Sequence, residues 1–167
     1  MAIAGGFDFV VSTKIDRSTA DRPHFFVAYG TKSRDGLKAF RETEYSALKA
    51  NARDRANAKE RKRESRSATP DLFSGLDADI QETTIDEIVE EQKALASHNI
   101  VEVLHESGAI SFLKMCEILL QVYMLRVTNI KDICVELADE GKIERTWTGK
   151  ARKPRDEDVI KLKPRLD

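Results

Sequence analysis

The segment LRVTNIKDICVELADEGKIERTW, residues 125–147, decides the fold. Its apolar residues recur at the i, i+3, i+4 and i+7 spacing of one helix face. They are Ile130, Ile133, Cys134 and Leu137. Thr128 is placed to cap the start of this helix, and Gly141 follows its end, where a left-handed residue is common. The segment therefore predicts a capped amphipathic helix that leads into a β-rich run.

Comparable patterns precede and follow this helix. An apolar helical stripe begins at Ile85 and stops at Gly108, with a break near Ser97 as an alternative. The other predicted elements are a short strand at 109–112, a helix at 113–124, a strand at 142–148, a charged turn at 149–158 and a strand at 159–163. Three helices followed by a two-stranded hairpin, here called the wing (residues 142–163), are the layout of a winged helix-turn-helix domain, which we predict for residues 84–167.

The first part of the chain has the pattern of a β-hairpin. Two β-rich apolar runs, 7–15 and 24–29, flank a polar segment that ends in Pro23. An isolated hairpin is only marginally stable in water. Its Phe-rich faces therefore require a larger sheet or a partner chain to cover them.

A long basic helix is predicted over residues 33–66, with Ser33 as its N-cap. Large apolar residues stop after Leu48, and from Lys49 to Arg66 there are eight basic residues against three acidic ones. Such a helix either tracks phosphate backbones or is a solvated helix with internal ion pairs. The candidate phosphate-contacting residues are Arg53, Lys59, Arg61, Lys62 and Arg63.

Residues 67–83 carry Pro70 and Gly75 with little periodicity, and we predict a linker there. The predicted fold class is therefore α+β in three parts. A β-hairpin and a long basic helix occupy residues 1–66, the linker follows, and the winged helix-turn-helix domain closes the chain.

The composition sets further limits. The 167 residues carry a net charge of −1, so no global field steers the chain to nucleic acid or to an anionic membrane, and any basic surface is local.

Cys116 and Cys134 fall in apolar helical patterns, which predicts buried free thiols in a reducing cytosol. No apolar run approaches the ~20 residues of a membrane span, and the first residues lack the features of a signal peptide. We therefore expect a cytoplasmic protein without a membrane partner.

The basic residues of the wing form the main candidate nucleic-acid interface. They are Arg145, Lys150, Arg152, Lys153 and Arg155, with Trp147 beside them. Basic residues next to an aromatic ring are typical of nucleic-acid contact. Packing at the base of the wing is the more common role for a tryptophan in the position of Trp147, and it is the alternative to base stacking.

The helix that precedes the wing is poorly suited to base recognition. Only Asn129 and Lys131, helped by Arg126 just before the helix, suit bases or phosphates. Four acidic residues on the same helix would repel phosphates. They are Asp132, Glu136, Asp139 and Glu140. We therefore predict backbone contact through the wing with weak or no base readout, and a protein-binding use of the acidic face is the alternative.

No catalytic constellation is found in the sequence. It has no GxGxxG or Walker loop, no HExxH motif and no paired-cysteine metal site. The three histidines, His24, His98 and His105, are not completed by other metal ligands. We therefore predict no catalytic residue, metal or cofactor in this chain.

Several strings in the chain resemble the three-Cys-motif partner protein family. They include HFFVAYGT (24–31), GLKAFR (36–41), GKIERTW (141–147) and RKPRD (152–156), and the resemblance spans nearly the whole chain. Members of that family carry an N-terminal Rossmann-type domain similar to class I methyltransferases and are usually encoded beside a protein with a three-cysteine motif. The resemblance implies that residues 1–66 are the remnant of such a domain: the last hairpin of its sheet and the helix that leaves it.

The chain also departs from the family pattern. The glycine-rich loop that would hold S-adenosylmethionine is missing, and so are the strands beside which the hairpin would lie. The resemblance therefore implies a truncated chain, a chain split from an upstream partner, or a separately encoded C-terminal module. S-adenosylmethionine is expected only in a missing N-terminal domain.

These observations lead to one main prediction of function and two alternatives. The main prediction is a non-catalytic nucleic-acid-binding module of a three-Cys-motif partner system, which contacts the phosphate backbone through its basic wing and basic helix. One alternative is a subunit of a methyltransferase-like enzyme that needs a Rossmann-type partner chain over the hairpin. The other is a protein-binding winged helix. The expected partners are accordingly nucleic acid, a Rossmann-type chain and a three-Cys-motif protein.

Overall fold

A computed structural model describes residues 5–17, 20–67, 76–147 and 152–164. These residues form a mixed α+β fold with two small antiparallel sheets. In chain order the elements are β1 (Phe9–Arg17), β2 (Ala20–Thr31), α1 (Arg34–Ser67), α2 (Leu76–Ser107), β3 (Ala109–Ser111), α3 (Phe112–Val122), α4 (Val127–Asp139) and β4 (Val159–Lys161). The predicted fold class, α+β with an N-terminal hairpin and a long helix, is confirmed at this level.

β1 and β2 form the predicted hairpin. Val11 pairs with Tyr29, and the register shifts where Asp16 meets Pro23. Proline has no backbone N–H to donate to a ladder, so a shift at this point is expected. Both strands extend further toward the hairpin tip than the predicted runs did.

α1 begins as predicted. The side chain of Ser33 accepts a 3.4 Å hydrogen bond from the Gly36 N–H, and its carbonyl accepts one of 3.1 Å from the Leu37 N–H. Leu37 is buried, and the ring of Phe40 stacks on that of Tyr29 with centroids 4.9 Å apart. The first turns of α1 therefore pack against the hairpin.

The second half of α1 is not fully solvated, which corrects the sequence-based expectation. Ala52 and Ala56 are 5% and 2% exposed. They lie one turn apart, so they form a small-residue stripe on one face that permits close packing. Tyr45 and Lys49, one turn earlier, donate hydrogen bonds of 2.7 and 2.8 Å to the carboxylate of Asp86 on α2. The charged residues of α1 occupy the remaining faces.

α2 begins at Leu76, so residues 76–83 of the predicted linker are helical. The sequence explains the extension, because no glycine or proline follows Gly75 until Gly108. The acidic residues Asp77 and Asp79 also suit the positive end of a helix dipole. The alternative of a break near Ser97 is wrong, since α2 is continuous to Ser107.

The end of α2 has a clear cause. The Gly108 N–H donates a 2.9 Å hydrogen bond to the Leu104 carbonyl, and Gly108 has φ +74°. This left-handed conformation costs glycine little conformational energy, and it terminates the helix. The chain then turns directly into β3.

The core of the C-terminal part is built from α2, α3 and α4. Its fully buried side chains include Ile100, Leu104, Phe112, Met115, Leu119, Leu120, Leu125, Ile130, Ile133, Leu137, Ile143 and Ile160. The stripe that predicted α4 lies inside this core. Ser111 caps α3, since its hydroxyl accepts a 3.3 Å hydrogen bond from the Lys114 N–H.

The second sheet differs from the predicted wing hairpin. β4 pairs with β3, through Ile110 opposite Ile160, and a single bridge joins Ile143 to Leu162 on its other side. Residues 144–147 form no strand, although the Glu144 N–H donates 3.0 Å to the Lys161 carbonyl. The hydroxyl of Thr146 donates 2.6 Å to the Val159 carbonyl, so a side chain replaces the backbone partner that a strand would supply.

The chain forms two compact units that divide within α2, between Val89 and Glu90. Each is described by itself, as the N-terminal unit and the C-terminal unit. The division into domains at 1–66, 67–83 and 84–167 remains a prediction. None of the described helices combines the length and the apolarity that crossing a membrane requires.

Candidate nucleic-acid interface

The start of α4 uses two of the predicted contact residues for capping. Arg126, rather than Thr128, is the N-cap and has extended backbone angles (φ −96°, ψ 159°). The Arg126 N–H donates a 2.9 Å hydrogen bond to Oδ1 of Asn129. The amide oxygen of Asn129 therefore stabilises the helix start, which leaves less of the side chain for reading a base.

Lys131 is also engaged within the C-terminal unit. Its ammonium lies 5.7 Å from the ring centre of Phe112 and its side chain is half-buried. This is the geometry of a cation–π contact. Asn129 and Lys131 are the residues of α4 best suited to nucleic acid, and both are held by contacts inside the protein.

The four acidic residues of α4 and its C-cap form ion pairs, a feature that the sequence patterns did not reveal. The pairs are Asp132 with Lys153, Glu136 with Lys93, Asp139 with Arg145 and Glu140 with Lys142. Each of these acidic side chains has a basic partner at ion-pair distance. The acidic face is thereby neutralised from inside the C-terminal unit.

Lys93 on α2 is a residue that the sequence analysis missed. Burial lowers its pKa, but the hydrogen bond of its ammonium to Glu90 (3.0 Å) and the charges of Glu136 and Asp132 outweigh that effect, so the pKa lies above its ordinary value. Lys93 therefore stays charged beside α4. The i,i+3 spacing from Glu90 was the only sequence signal for this contact.

The candidate interface residues Arg145, Arg152, Lys153 and Arg155 of the wing are all exposed. Arg152 and Arg155 have no ion-pair partner among the residues that the structure describes, whereas Lys153 is paired with Asp132. The backbone N–H of Arg155 donates a 2.7 Å hydrogen bond to Asp158, which fixes the turn before β4. Lys150 lies outside the described residues. The described wing thus presents two exposed guanidinium groups, Arg152 and Arg155, and two exposed basic side chains, Arg145 and Lys153, that are paired with α4.

Trp147 is not placed to stack on a base, which corrects its assignment as a nucleic-acid contact. Its side chain is 3% exposed, and the guanidinium of Arg145 lies 5.6 Å from its ring centre. A buried ring offers no free face to a nucleotide. The alternative weighed for Trp147, packing at the base of the wing, agrees with this position.

The basic residues of α1 belong to the N-terminal unit. Arg53, Arg61 and Lys62 are exposed, while Lys59 is half-buried. The Nε of Arg61 donates a 3.2 Å hydrogen bond to the Asn57 carbonyl, which holds the stem of the side chain along the helix. The side chain of Arg63 lies outside the described part of the chain. The second half of α1 therefore carries three exposed positive charges.

The predicted buried free thiols are confirmed for Cys116 and Cys134. Burial raises the pKa of the Cys134 thiol to about 12, and the neighbouring Cys116 adds to the shift. Within the described ranges no group of three or more His, Cys, Asp or Glu side chains could hold a metal ion. His98 is exposed and lies 3.4 Å from Glu102.

Comparison of the chain with protein-family models, with curated proteins and with solved structures finds no match.

Proposed function

We propose that the C-terminal unit is a winged helix-turn-helix domain and that the chain is a non-catalytic module that binds nucleic acid through its phosphate backbone. The element order α2–β3–α3–α4–β4 supports this proposal. The pairing of β4 with β3 on one side and with Ile143 on the other also supports it, because these contacts bring both ends of the wing together.

The observation that carries the proposal is the exposure of Arg152 and Arg155 on the wing. Guanidinium groups suit phosphate oxygens because they donate several hydrogen bonds in a fixed fork. Asn129 and Lys131 are held by contacts inside the C-terminal unit. Contacts to phosphate without contacts to base edges position a protein on nucleic acid but do not specify a sequence.

The exposed basic residues of α1 provide a second surface in the proposal. Arg53 and Arg61 are eight residues apart on one helix, which is roughly 12 Å at 1.5 Å per residue. Phosphates along a backbone are spaced closely enough for both residues to find partners. We further propose, from the sequence resemblance, that the module acts in a three-Cys-motif partner system and holds no cofactor itself.

The test is binding to a labelled 20-base-pair duplex, followed by fluorescence anisotropy at several salt concentrations. The intact chain is compared with Arg152→Gln/Arg155→Gln and with Arg53→Gln/Arg61→Gln. Each pair of substitutions should weaken binding and make the plot of log affinity against log salt shallower, by up to about 2 units of slope. Unrelated duplex sequences should bind alike.

Lys32→Gln is the matched control. Lys32 is exposed and precedes α1, at the opposite end from Arg53 and Arg61, and its replacement removes one charge without touching either basic surface. Absence of binding by the intact chain at ~0.1 M salt, or binding that does not respond to salt, would refute the proposal.

A second candidate function is supported by the exposed aromatic residues of the hairpin. Phe25, Phe26 and Phe7 are large apolar side chains left in contact with solvent in the N-terminal unit. Phe25 and Phe26 are consecutive in β2 and so face opposite sides of the hairpin, and exposed apolar surface marks interaction sites in many proteins. This candidate is a subunit of a methyltransferase-like enzyme whose Rossmann-type partner chain covers the hairpin.

Co-expression with the protein encoded immediately upstream tests the second candidate. The two chains should elute together in gel filtration, and Phe25→Ser/Phe26→Ser should separate them. Lys14→Ser, an exposed position on the same hairpin, serves as the control and should leave the complex intact. Separate elution of the unaltered chains would exclude this partner.

A further inference from the structure

We propose that the ion pairs joining α4 to the wing act as an internal brake on nucleic-acid binding. In the free protein the carboxylates of Asp132 and Asp139 hold Lys153 and Arg145. Phosphates must displace these carboxylates before the two basic side chains contribute to binding. This inference rests on the proposed function and adds its regulation.

The geometry singles out these two pairs among those of α4. Lys153 and Arg145 lie in the wing, and a distance of 2.5 Å joins Arg145 to Oδ1 of Asp139. Glu136 instead lies 3.8 Å from Lys93, which belongs to α2. Glu140 pairs with Lys142, which is not among the candidate interface residues. Of the candidate residues in the described wing, Lys153 and Arg145 are therefore the two that α4 neutralises.

The exposure of these pairs makes displacement feasible. All four side chains are between one third and two thirds exposed, so a phosphate oxygen has access to the same donors. Carboxylate and phosphate oxygens both accept charge-assisted hydrogen bonds from ammonium and guanidinium groups. An exposed ion pair changes an equilibrium by about 1.4- to 5-fold, which is weak enough for phosphates to overcome.

Removal of a carboxylate should therefore strengthen binding for two reasons. The basic side chain no longer has an internal partner to leave, and the approaching phosphate no longer meets a like charge. Both effects act in the same direction. We expect a gain of about 3- to 5-fold for one carboxylate, near the upper limit for exposed pairs, and about 10- to 25-fold for both if the free energies of separate sites add.

The experiment compares Asp132→Asn, Asp139→Asn and the double variant with the intact chain, using the same labelled duplex at ~0.1 M salt. Glu136→Gln is the matched control, because it removes the same charge from the same helix but releases Lys93 instead of a wing residue. We expect a gain for the two Asn variants and less than a twofold change for Glu136→Gln. Circular dichroism confirms that each variant is folded.

A double-mutant cycle separates the brake from general electrostatics. If Asp132 acts mainly by holding Lys153, then Asp132→Asn should give a much smaller gain in a Lys153→Gln background, because only the loss of like-charge repulsion remains. Equal gains from Asp132→Asn and Glu136→Gln, or a gain that persists in full without Lys153, overturn the brake while the proposed function stands. If no protein in the series binds the duplex, the proposed function itself fails.

Discussion

The guanidinium of Arg145 joins two parts of the C-terminal unit, because it donates a 2.5 Å hydrogen bond to Asp139 and lies 5.6 Å from the ring centre of Trp147. The contact links the last residue of α4 to the buried aromatic at the start of the wing. A basic residue predicted to contact phosphate therefore also positions the wing. Substitutions at Trp147 should therefore affect the packing of the wing.

Truncation of Trp147 should destabilise the C-terminal unit strongly without changing its affinity for nucleic acid. The buried ring fills the base of the wing, and Trp→Ala in a core costs about 3–5 kcal/mol. Trp147→Phe should cost less, since the indole Nε1 has no hydrogen-bond partner among the described residues and little is lost with it. Urea unfolding followed by circular dichroism measures both.

The affinity of the folded Trp147→Phe protein for the labelled duplex provides the control. An unchanged affinity agrees with packing at the base of the wing. A large loss of affinity with no loss of stability would instead support base stacking by Trp147.

The stack of Tyr29 on Phe40 should be the main link between the hairpin and α1. Tyr29→Ala removes a partly buried aromatic whose ring is 4.9 Å from its partner, and we expect a loss of about 2–3 kcal/mol from burial and the stack together. Phe26→Ala is the matched control. Phe26 is 68% exposed on the same strand, so its loss should change stability by less than about 0.5 kcal/mol.

Hydrogen exchange at the amides of β1 and β2 checks this prediction, since those amides report the hairpin directly. Faster exchange in Tyr29→Ala than in Phe26→Ala is the expected result. The reverse order would mean that the exposed ring, and not the stacked one, holds the hairpin in place.

The elements with strong periodicity could be predicted from sequence. The i, i+3, i+4, i+7 stripe around Ile133 predicted α4, and the side chain of Ser33 marked the start of α1. Both signals are local, because helix faces and caps depend on residues within one or two turns. Alternating apolar residues on both sides of Pro23 predicted the hairpin for the same reason.

The remaining features depend on contacts between distant parts of the chain. No local pattern shows that Asp132 meets Lys153, or that β4 pairs with β3 more extensively than with Ile143. The N-cap of α4 was misplaced at Thr128 because the side chain of Asn129 caps the backbone of Arg126 instead. The candidate interface was therefore predictable as a set of basic residues but not in its charge balance.

The buried pair of Arg41 and Glu44 should be strongly coupled. A distance of 2.6 Å joins Nη1 of Arg41 to Oε2 of Glu44, and the side chains are 4% and 2% exposed. Glu44→Leu leaves a buried guanidinium without that carboxylate, which costs about 3–5 kcal/mol. Arg41→Met/Glu44→Leu removes both charges and should recover most of the loss, as chemical denaturation of the three proteins will show.

The pair of half-buried Lys38 and exposed Asp35 offers a control one turn away, with 4.0 Å between its charged atoms. Asp35→Asn should change stability by less than about 1 kcal/mol. If Glu44→Leu proves equally mild, water or other polar groups stabilise Arg41 without Glu44, and the coupling is absent.

The thiol of Cys134 should be unreactive in the folded protein and should make stability fall at high pH. Burial raises its pKa to about 12, whereas an unfolded cysteine has a pKa of about 8.5. Between these values the native state binds the proton that the unfolded state has lost, so the free energy of unfolding decreases by about 1.4 kcal/mol per pH unit. Below the unfolded pKa this contribution is fully present.

Comparison with Cys134→Ala isolates the contribution of the thiol, because the free energy of unfolding should fall less steeply with pH in that variant. Mass spectrometry after iodoacetamide treatment at pH 8 should find Cys134 labelled only when urea is present. Rapid labelling in the folded state would show that the α3–α4 core opens readily, and the burial argument for this thiol would then be wrong.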